Sequence, residues 1–285
     1  MTDIAANFAT AEFRMSDGLV IVADVGGPPG APTVALMHGG GQTRGSWVGA
    51  MQALLAQGYR VINFDARGHG ESGWMSKGAY SLSRRAQDLG EVLQDATGPV
   101  ALVGASMGGA TAIYAVGEHV CDPAAVVLVD IVPQPEEEGV DRIKAFMRGN
   151  PAGFSSIEEA ADAVAAYNPN RPRPTNIAGL MRNLRERDGR LFWHWDPRIL
   201  EDADRDFRTQ QMVAYAADLV MPTLLVRGLA SDVVSDDSIA RFRAVLPTLT
   251  VVDVSGAGHM VAGDRNDAFN AAAIGFLRRH MPPRK

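Results

Sequence analysis

Gly98–Ala115 reads GPVALVGASMGGATAIYA: a short apolar run, then Gly104-Ala105-Ser106-Met107-Gly108, then a stretch of small residues. That order predicts strand, sharp turn, helix. A serine at the tip of such a turn is pushed clear of the sheet with its hydroxyl exposed. The flanking glycines permit the bend and let strand and helix pack closely. Ser106 is therefore a candidate nucleophile, and it needs a histidine and a carboxylate from elsewhere in the chain to activate it.

Around this stretch, apolar runs alternate with amphipathic ones. Thr10–Arg14 and Leu19–Asp24 flank Ser16-Asp17-Gly18 and predict an antiparallel hairpin. Thr33–Met37 is a continuous apolar run, as expected of a strand covered on both faces, and Tyr59–Phe64, Val100–Val103 and Ala124–Val129 read as further strands. Arg44–Gln57 and Leu82–Ala96 have helical spacing. The alternation argues for a parallel sheet with helices on both faces. It lapses between Pro133 and about Ala217, where the pattern predicts only helices: Val140–Arg148, Ile157–Tyr167, Ile177–Arg187 and Thr209–Ala217, with the Pro-rich Asn168–Thr175 among them. It resumes with Thr223–Val226, a helix over Asp236–Leu246, the strand Leu249–Val254 and a final helix over Asn266–His280. The expected organisation is a core domain of residues 1–132 and 218–285 interrupted by a helical lid, 133–217.

The chain has 285 residues, 46% apolar and 21% charged, with a net charge of −6. That balance gives no basic footprint for a nucleic-acid partner. The single cysteine, Cys121, excludes an internal disulfide and a cysteine-only metal site. The opening MTDIAANFATAEFRMSDG lacks a basic stretch followed by an apolar core, and no window of about 20 apolar residues occurs. The expectation is a cytoplasmic protein with no membrane partner.

Four loops follow predicted strands and carry unusual residues. In His38–Trp47, three glycines leave backbone N–H groups free for a developing oxyanion; the expected donors are Gly40 and Met107, the residue after the nucleophile. No Lys-Ser/Thr follows, as a phosphate loop would require. In Asp65–Gly73, His69 reads as structural, and His38 as a brace for the oxyanion loop. Gly228–Ser235 and Ser255–His259 supply Asp232 and His259. A triad needs the imidazole between hydroxyl and carboxylate, and the order Ser106, Asp232, His259 fits. Asp130 also follows a strand and is the rival acid; Asp232 is preferred because it precedes the histidine by one helix–strand unit. Asp253 reads as structural.

On these residues the chain resembles the α/β-hydrolase superfamily. The HGGG loop, Asp-x-Arg-Gly-His-Gly-x-Ser at 65–72, the serine turn, the 228–235 loop and the 255–259 loop occur in order. The resemblance implies a mostly parallel, doubly wound sheet of about eight strands with a lid insertion. HGGGQT and the second segment are similar to the epoxide-hydrolase and dehalogenase branch, whose nucleophile is aspartate. Here the position is Ser106. Ser106-Met107-Gly108-Gly109 is similar instead to lactonases, carboxylesterases and C–C-bond hydrolases. A serine suits acyl transfer through an acyl-enzyme, without cofactor or metal. The expected substrate is a small to medium carboxylic ester or lactone with an apolar part. The alternatives are C–C cleavage of a vinylogous diketone, cofactor-free perhydrolysis, and a non-catalytic small-molecule receptor of the same fold. Pocket candidates are Gly41, Gln42, Trp47, Trp193 and Trp195; the two lid tryptophans could equally form the lid's own core, and His194 reads as a lid residue rather than a second base.

Overall fold

The computed structural model describes residues 8–75, 79–167, 173, 177–201, 205–261 and 266–283. In chain order the strands are β1 (Phe8–Arg14), β2 (Val20–Gly26), β3 (Thr33–Met37), β4 (Arg60–Phe64), β5 (Val100–Ala105), β6 (Ala125–Val129), β7 (Leu184–Arg187), β8 (Arg190–Trp193), β9 (Thr223–Gly228) and β10 (Thr250–Val254). Eight of them form one sheet in the order β1-β2-β4-β3-β5-β6-β9-β10. β2 pairs antiparallel with both β1 and β4, and every pair from β4 to β10 is parallel. This is the parallel sheet that the alternation predicts, in the eight-stranded α/β-hydrolase arrangement that the resemblance implies.

The helices are α1 (Val48–Ala56), α2 (Leu82–Val92), α3 (Met107–Gly117), α4 (Glu137–Arg148), α5 (Ile157–Tyr167), α6 (Ile177–Met181), α7 (Arg205–Ala216), α8 (Asp236–Val245) and α9 (Asn266–His280). Successive strand residues face opposite sides. Val34 and Leu36 of β3, with Val103 and Val127, pack against Met51 of α1 and Phe269 and Phe276 of α9. Ala35, Leu102 and Leu128 face the other way, onto Leu89 of α2, Ile113 of α3 and Phe242 of α8. Each such buried aliphatic stabilises the fold by roughly 1.5–3 kcal/mol.

The segment between β6 and β9 departs from the sequence expectation. The helix expected over Ile177–Arg187 stops at Met181, and the chain folds into a second, two-stranded sheet of β7 and β8. Arg187 pairs with Arg190 across Asp188-Gly189, both at positive φ (52° and 72°). Asp-Gly in a two-residue turn is a strong local hairpin signal. Here its flanking residues, Leu184-Arg-Glu-Arg and Arg190-Leu-Phe-Trp, alternate too weakly to show a strand. The insertion has its own apolar cluster around Phe154, Leu180, Trp193 and Trp195. Its last helix, α7, belongs physically to the sheet. Tyr215 packs edge-on against Tyr114 of α3 at 5.2 Å, and Met212 and Ala216 join the core under β5 and β6. The Pro-rich Asn168–Thr175, Arg173 apart, lies outside the described residues.

Candidate active site

Ser106 stands between β5 and α3 with φ 47° and ψ −111°. A side-chain-bearing residue at that φ is strained, by order of 1–3 kcal/mol, and persists only where its surroundings over-determine it. Here its N–H donates to the Val129 carbonyl at 3.0 Å and its carbonyl accepts from the Ala110 N–H at 2.9 Å. Glycine is required on both sides. A Cβ at Gly104 would run into the Gly108 carbonyl group, and one at Gly108 into the Met37 carbonyl of β3. The strand–turn–helix reading of 98–115 is thus enforced by backbone contacts across three neighbouring elements.

His259 lies in the loop after β10, and its Nδ1 is 2.7 Å from Oδ2 of Asp130. Asp130 follows β6, is fully buried, and sits at φ 49°. Its Oδ1 also accepts from the Gly228 N–H at 3.1 Å, and its Oδ2 accepts from the Ser231 hydroxyl. A buried carboxylate is tolerated when its lone pairs are satisfied by donors of this kind.

The acid expected from the sequence, Asp232, does not reach the histidine. Its carboxylate pairs with Arg142 of α4 at 2.9 Å, on side chains that are 34% and 59% exposed. The following Val233 and Val234 are buried, and the turn that seats them carries Asp232 outward. Chain order could not separate the two aspartates, because both lie between Ser106 and His259. The 228–235 loop still serves the site, through the Gly228 amide and Ser231. Ser231 was not anticipated; a serine three residues beyond a strand end carries no distinctive signal.

The glycine loop is pinned on every side. The Gly39 carbonyl takes His38 Nδ1–H at 2.8 Å and the Gln42 N–H at 3.1 Å, while the Gly39 N–H donates to Gln42 Oε1 at 3.1 Å. The Gly41 N–H donates to His69 Nε2 at 3.2 Å. Among the described residues, the Gly40 N–H between them takes no internal acceptor. His38 braces this loop as the sequence predicts: its Nε2 accepts from the Ala66 N–H at 2.9 Å. Burial pushes both His38 and His69 below the usual histidine range. The Asp65–Gly73 loop is itself anchored by Arg67, whose guanidinium forks onto Asp88 of α2 at 2.5 and 2.7 Å.

Ser106, Met107, Gly40 and His259 all border one cavity of about 710 Å³ between the sheet and the insertion. Gly41, Gln42, Trp47, Trp193 and Trp195 border it too. Trp193 and Trp195 stack at 5.0 Å, flanked by Phe146 and Phe154, so they are at once the insertion's core and the cavity's wall. Trp47 is almost fully buried and packs against Phe269. Cys121 lies elsewhere; burial pushes its thiol up to about 11.

The mostly parallel sheet thus brings Ser106, on a strained strand–helix bend, and His259, backed by the buried Asp130, to one cavity, the arrangement of a candidate hydrolase site. The alpha/beta hydrolase family model matches residues 34–272, and the chain belongs to that family. It is similar to the esterase Rv0045c of Mycobacterium tuberculosis, with 30% identity over 93% of this chain and 88% of the relative. A crystal structure of that esterase superposes with a TM-score of 0.76 at 27% identity, covering 96% of this chain and 93% of that one. The 2-(acetamidomethylene)succinate hydrolase of Mesorhizobium japonicum is 28% identical over 91% of this chain and 93% of the relative. A structure of E-2-(acetamidomethylene)succinate hydrolase gives a TM-score of 0.81 at 23% identity, over 95% of this chain and 99% of that one, a likeness of fold alone. Mouse protein phosphatase methylesterase 1 is 32% identical over 46% of this chain, and that match spans only 36% of the methylesterase. No helix among the described residues is long and apolar enough to cross a membrane.

Proposed function

We propose that this protein is a serine hydrolase that cleaves small to medium carboxylic esters or lactones through an acyl-enzyme. The observation that carries the reading is the 2.7 Å His259–Asp130 contact, on the rim of the cavity that also holds Ser106. Asp130 fixes His259 with its proton on Nδ1, which leaves Nε2 to take the proton of Ser106 as the hydroxyl attacks the ester carbonyl. The carbonyl electrons move onto oxygen, where the Gly40 and Met107 N–H groups receive them. A donor of this kind is typically worth about 10²–10³ in kcat. The imidazolium returns its proton to the leaving alcohol, and water then repeats the sequence on the acyl-enzyme.

The apolar wall of Ile143, Phe146, Met147, Trp193 and Trp195 supports a substrate with an apolar part. The insertion at 133–217 is read as a lid that sets which acyl and alcohol groups fit. The relatives' names, an esterase, a methylesterase and a hydrolase, agree with an acyl substrate.

The test is a panel of p-nitrophenyl esters, lactones, an epoxide and a vinylogous diketone, with wild type and Ser106→Ala. Ester or lactone turnover that vanishes in Ser106→Ala, with a fluorophosphonate label on Ser106 in wild type, is the expected result. Turnover of the epoxide or the diketone alone would overturn the assignment to esters, and absence of the label would favour a binding protein.

A further inference from the structure

Three buried histidines line one side of the glycine loop in a row of ring contacts. His38 and His69 are 5.1 Å apart, and His69 and His194 are 6.0 Å apart. The first two come from the sheet's own loops. His194 comes from the insertion, just after β8, between the two tryptophans of the cavity wall.

His194 is 2% exposed and spends both ring nitrogens on the backbone. Nδ1 accepts from the Gly70 N–H at 2.8 Å, and Nε2 is 3.3 Å from the Gly41 carbonyl oxygen. A backbone N–H can only donate and a carbonyl can only accept. The ring is therefore the neutral Nε2–H tautomer, and Nε2–H donates to Gly41. Burial, with His38 nearby, pushes the His194 pKa down to about 4, which agrees with a neutral ring near neutral pH.

Gly41 is a weak point that needs such a clamp. Its φ of 72° is open to glycine without penalty, and it directly follows Gly40. His69 holds its N–H and His194 holds its carbonyl, so the two histidines fix both peptide units that follow Gly40. The Trp195 ring packs against the same residue. The segment carrying His194 is itself tied down: the Asp196 N–H donates to the Gly68 carbonyl at 2.8 Å, and the Arg185 guanidinium reaches the Gly70 carbonyl.

We propose that His194 is a positioning residue through which the insertion sets the oxyanion donor at Gly40, so that the chemical step depends on how the insertion is seated. This rests on the serine-hydrolase reading above. The insertion then does more than select substrates. A displaced His194 frees the Gly41 carbonyl, and the Gly40 N–H loses its aim at an oxyanion position that tolerates little error.

The test compares His194→Asn with His194→Gln, by burst and steady-state kinetics on p-nitrophenyl butyrate and by thermal melting. Asparagine places an acceptor near the old Nδ1 for Gly70 but has no donor for Gly41. Glutamine extends an amide N–H to where Nε2–H stood. The expected result is a kcat reduced tenfold or more in His194→Asn, with KM within twofold of wild type, and a recovery of at least threefold of that loss in His194→Gln. A His194→Asn kcat equal to wild type overturns the proposal. So does a change confined to KM, which would make His194 only a pocket wall. If His194→Asn does not fold, His194→Gln decides alone: kcat within threefold of wild type supports the clamp, and a larger loss in a normally melting variant overturns it. A wild type that takes no fluorophosphonate and turns over no ester would instead sink the underlying reading.

Discussion

Asp130 and Asp232 leave the sheet from neighbouring strand ends, β6 and β9, and meet opposite fates. Asp130 is buried and bonded to the Gly228 amide, the Ser231 hydroxyl and the His259 ring. Asp232 sits four residues past its strand, about a third exposed, and pairs with the exposed side chain of Arg142. The loop that carries Asp232 holds Asp130 in place through different residues. Strand-end position is thus not what selects a carboxylate for the histidine. Desolvation, several convergent donors and an unusual backbone conformation select it. A surface ion pair imposes none of these, and its worth is typically about 0–1 kcal/mol.

The largest test of the contrast is Asp130→Asn. The amide is the same shape as the carboxylate, so the fold should survive. Asp130 faces donors on both oxygens: Gly228 N–H on Oδ1, and Ser231 and His259 on Oδ2. An amide has an acceptor on one side only. Turned either way, its NH2 confronts a donor, and His259 loses its tautomer or Gly228 loses its partner. We expect kcat on an aryl ester to fall roughly 10³–10⁴-fold with KM little changed, as steady-state kinetics would show. A loss smaller than tenfold would break the assignment of Asp130 as the acid.

Much of this site was legible in the sequence. The serine turn is a sterically forced pattern of small residues, and the strands around it are continuous apolar runs. The glycine loop, His38 and His259 each sit at a strand end with glycine beside them. What was hidden depends on side-chain direction beyond a strand end. Asp130 and Asp232 differ in the turn each loop makes, and that turn is set by the burial of Val233 and Val234 and by Ser231, contacts far apart in sequence. The β7–β8 hairpin was hidden for a related reason. Its Asp188-Gly189 turn is a clear signal, but the four-residue strands Leu-Arg-Glu-Arg and Arg-Leu-Phe-Trp carry no apolar alternation to mark them. His194 gave no sign of its bonds to Gly41 and Gly70, because its partners are backbone groups more than a hundred residues away.

Ser231→Ala should give an intermediate effect. It removes one of the three donors on Asp130 and the acceptor for the Val233 and Val234 N–H groups. The carboxylate keeps Gly228 and His259. We expect kcat to drop about tenfold and unfolding free energy by about 1–2 kcal/mol, read from kinetics and urea titration. If the variant lost as much activity as Asp130→Asn, the hydroxyl itself, and not the carboxylate it supports, would be the group that His259 depends on.

Asp232→Asn should do least. Its carboxylate touches Arg142 on the surface, and both side chains are well solvated. Its backbone is another matter, since α4 packs so closely that a Cβ on Gly139 would run into the Asp232 carbonyl. The asparagine variant leaves that packing intact and removes only the charge. The expected outcome is a kcat and KM within twofold of wild type and a stability change below about 1 kcal/mol. A double-mutant cycle with Arg142→Ala should return a coupling energy of similar size or less. A tenfold loss of kcat in Asp232→Asn, with the melting temperature unchanged, would mean that this carboxylate acts on the histidine in solution after all. The contrast between the two strand ends would then describe one state of the loop rather than the resting site.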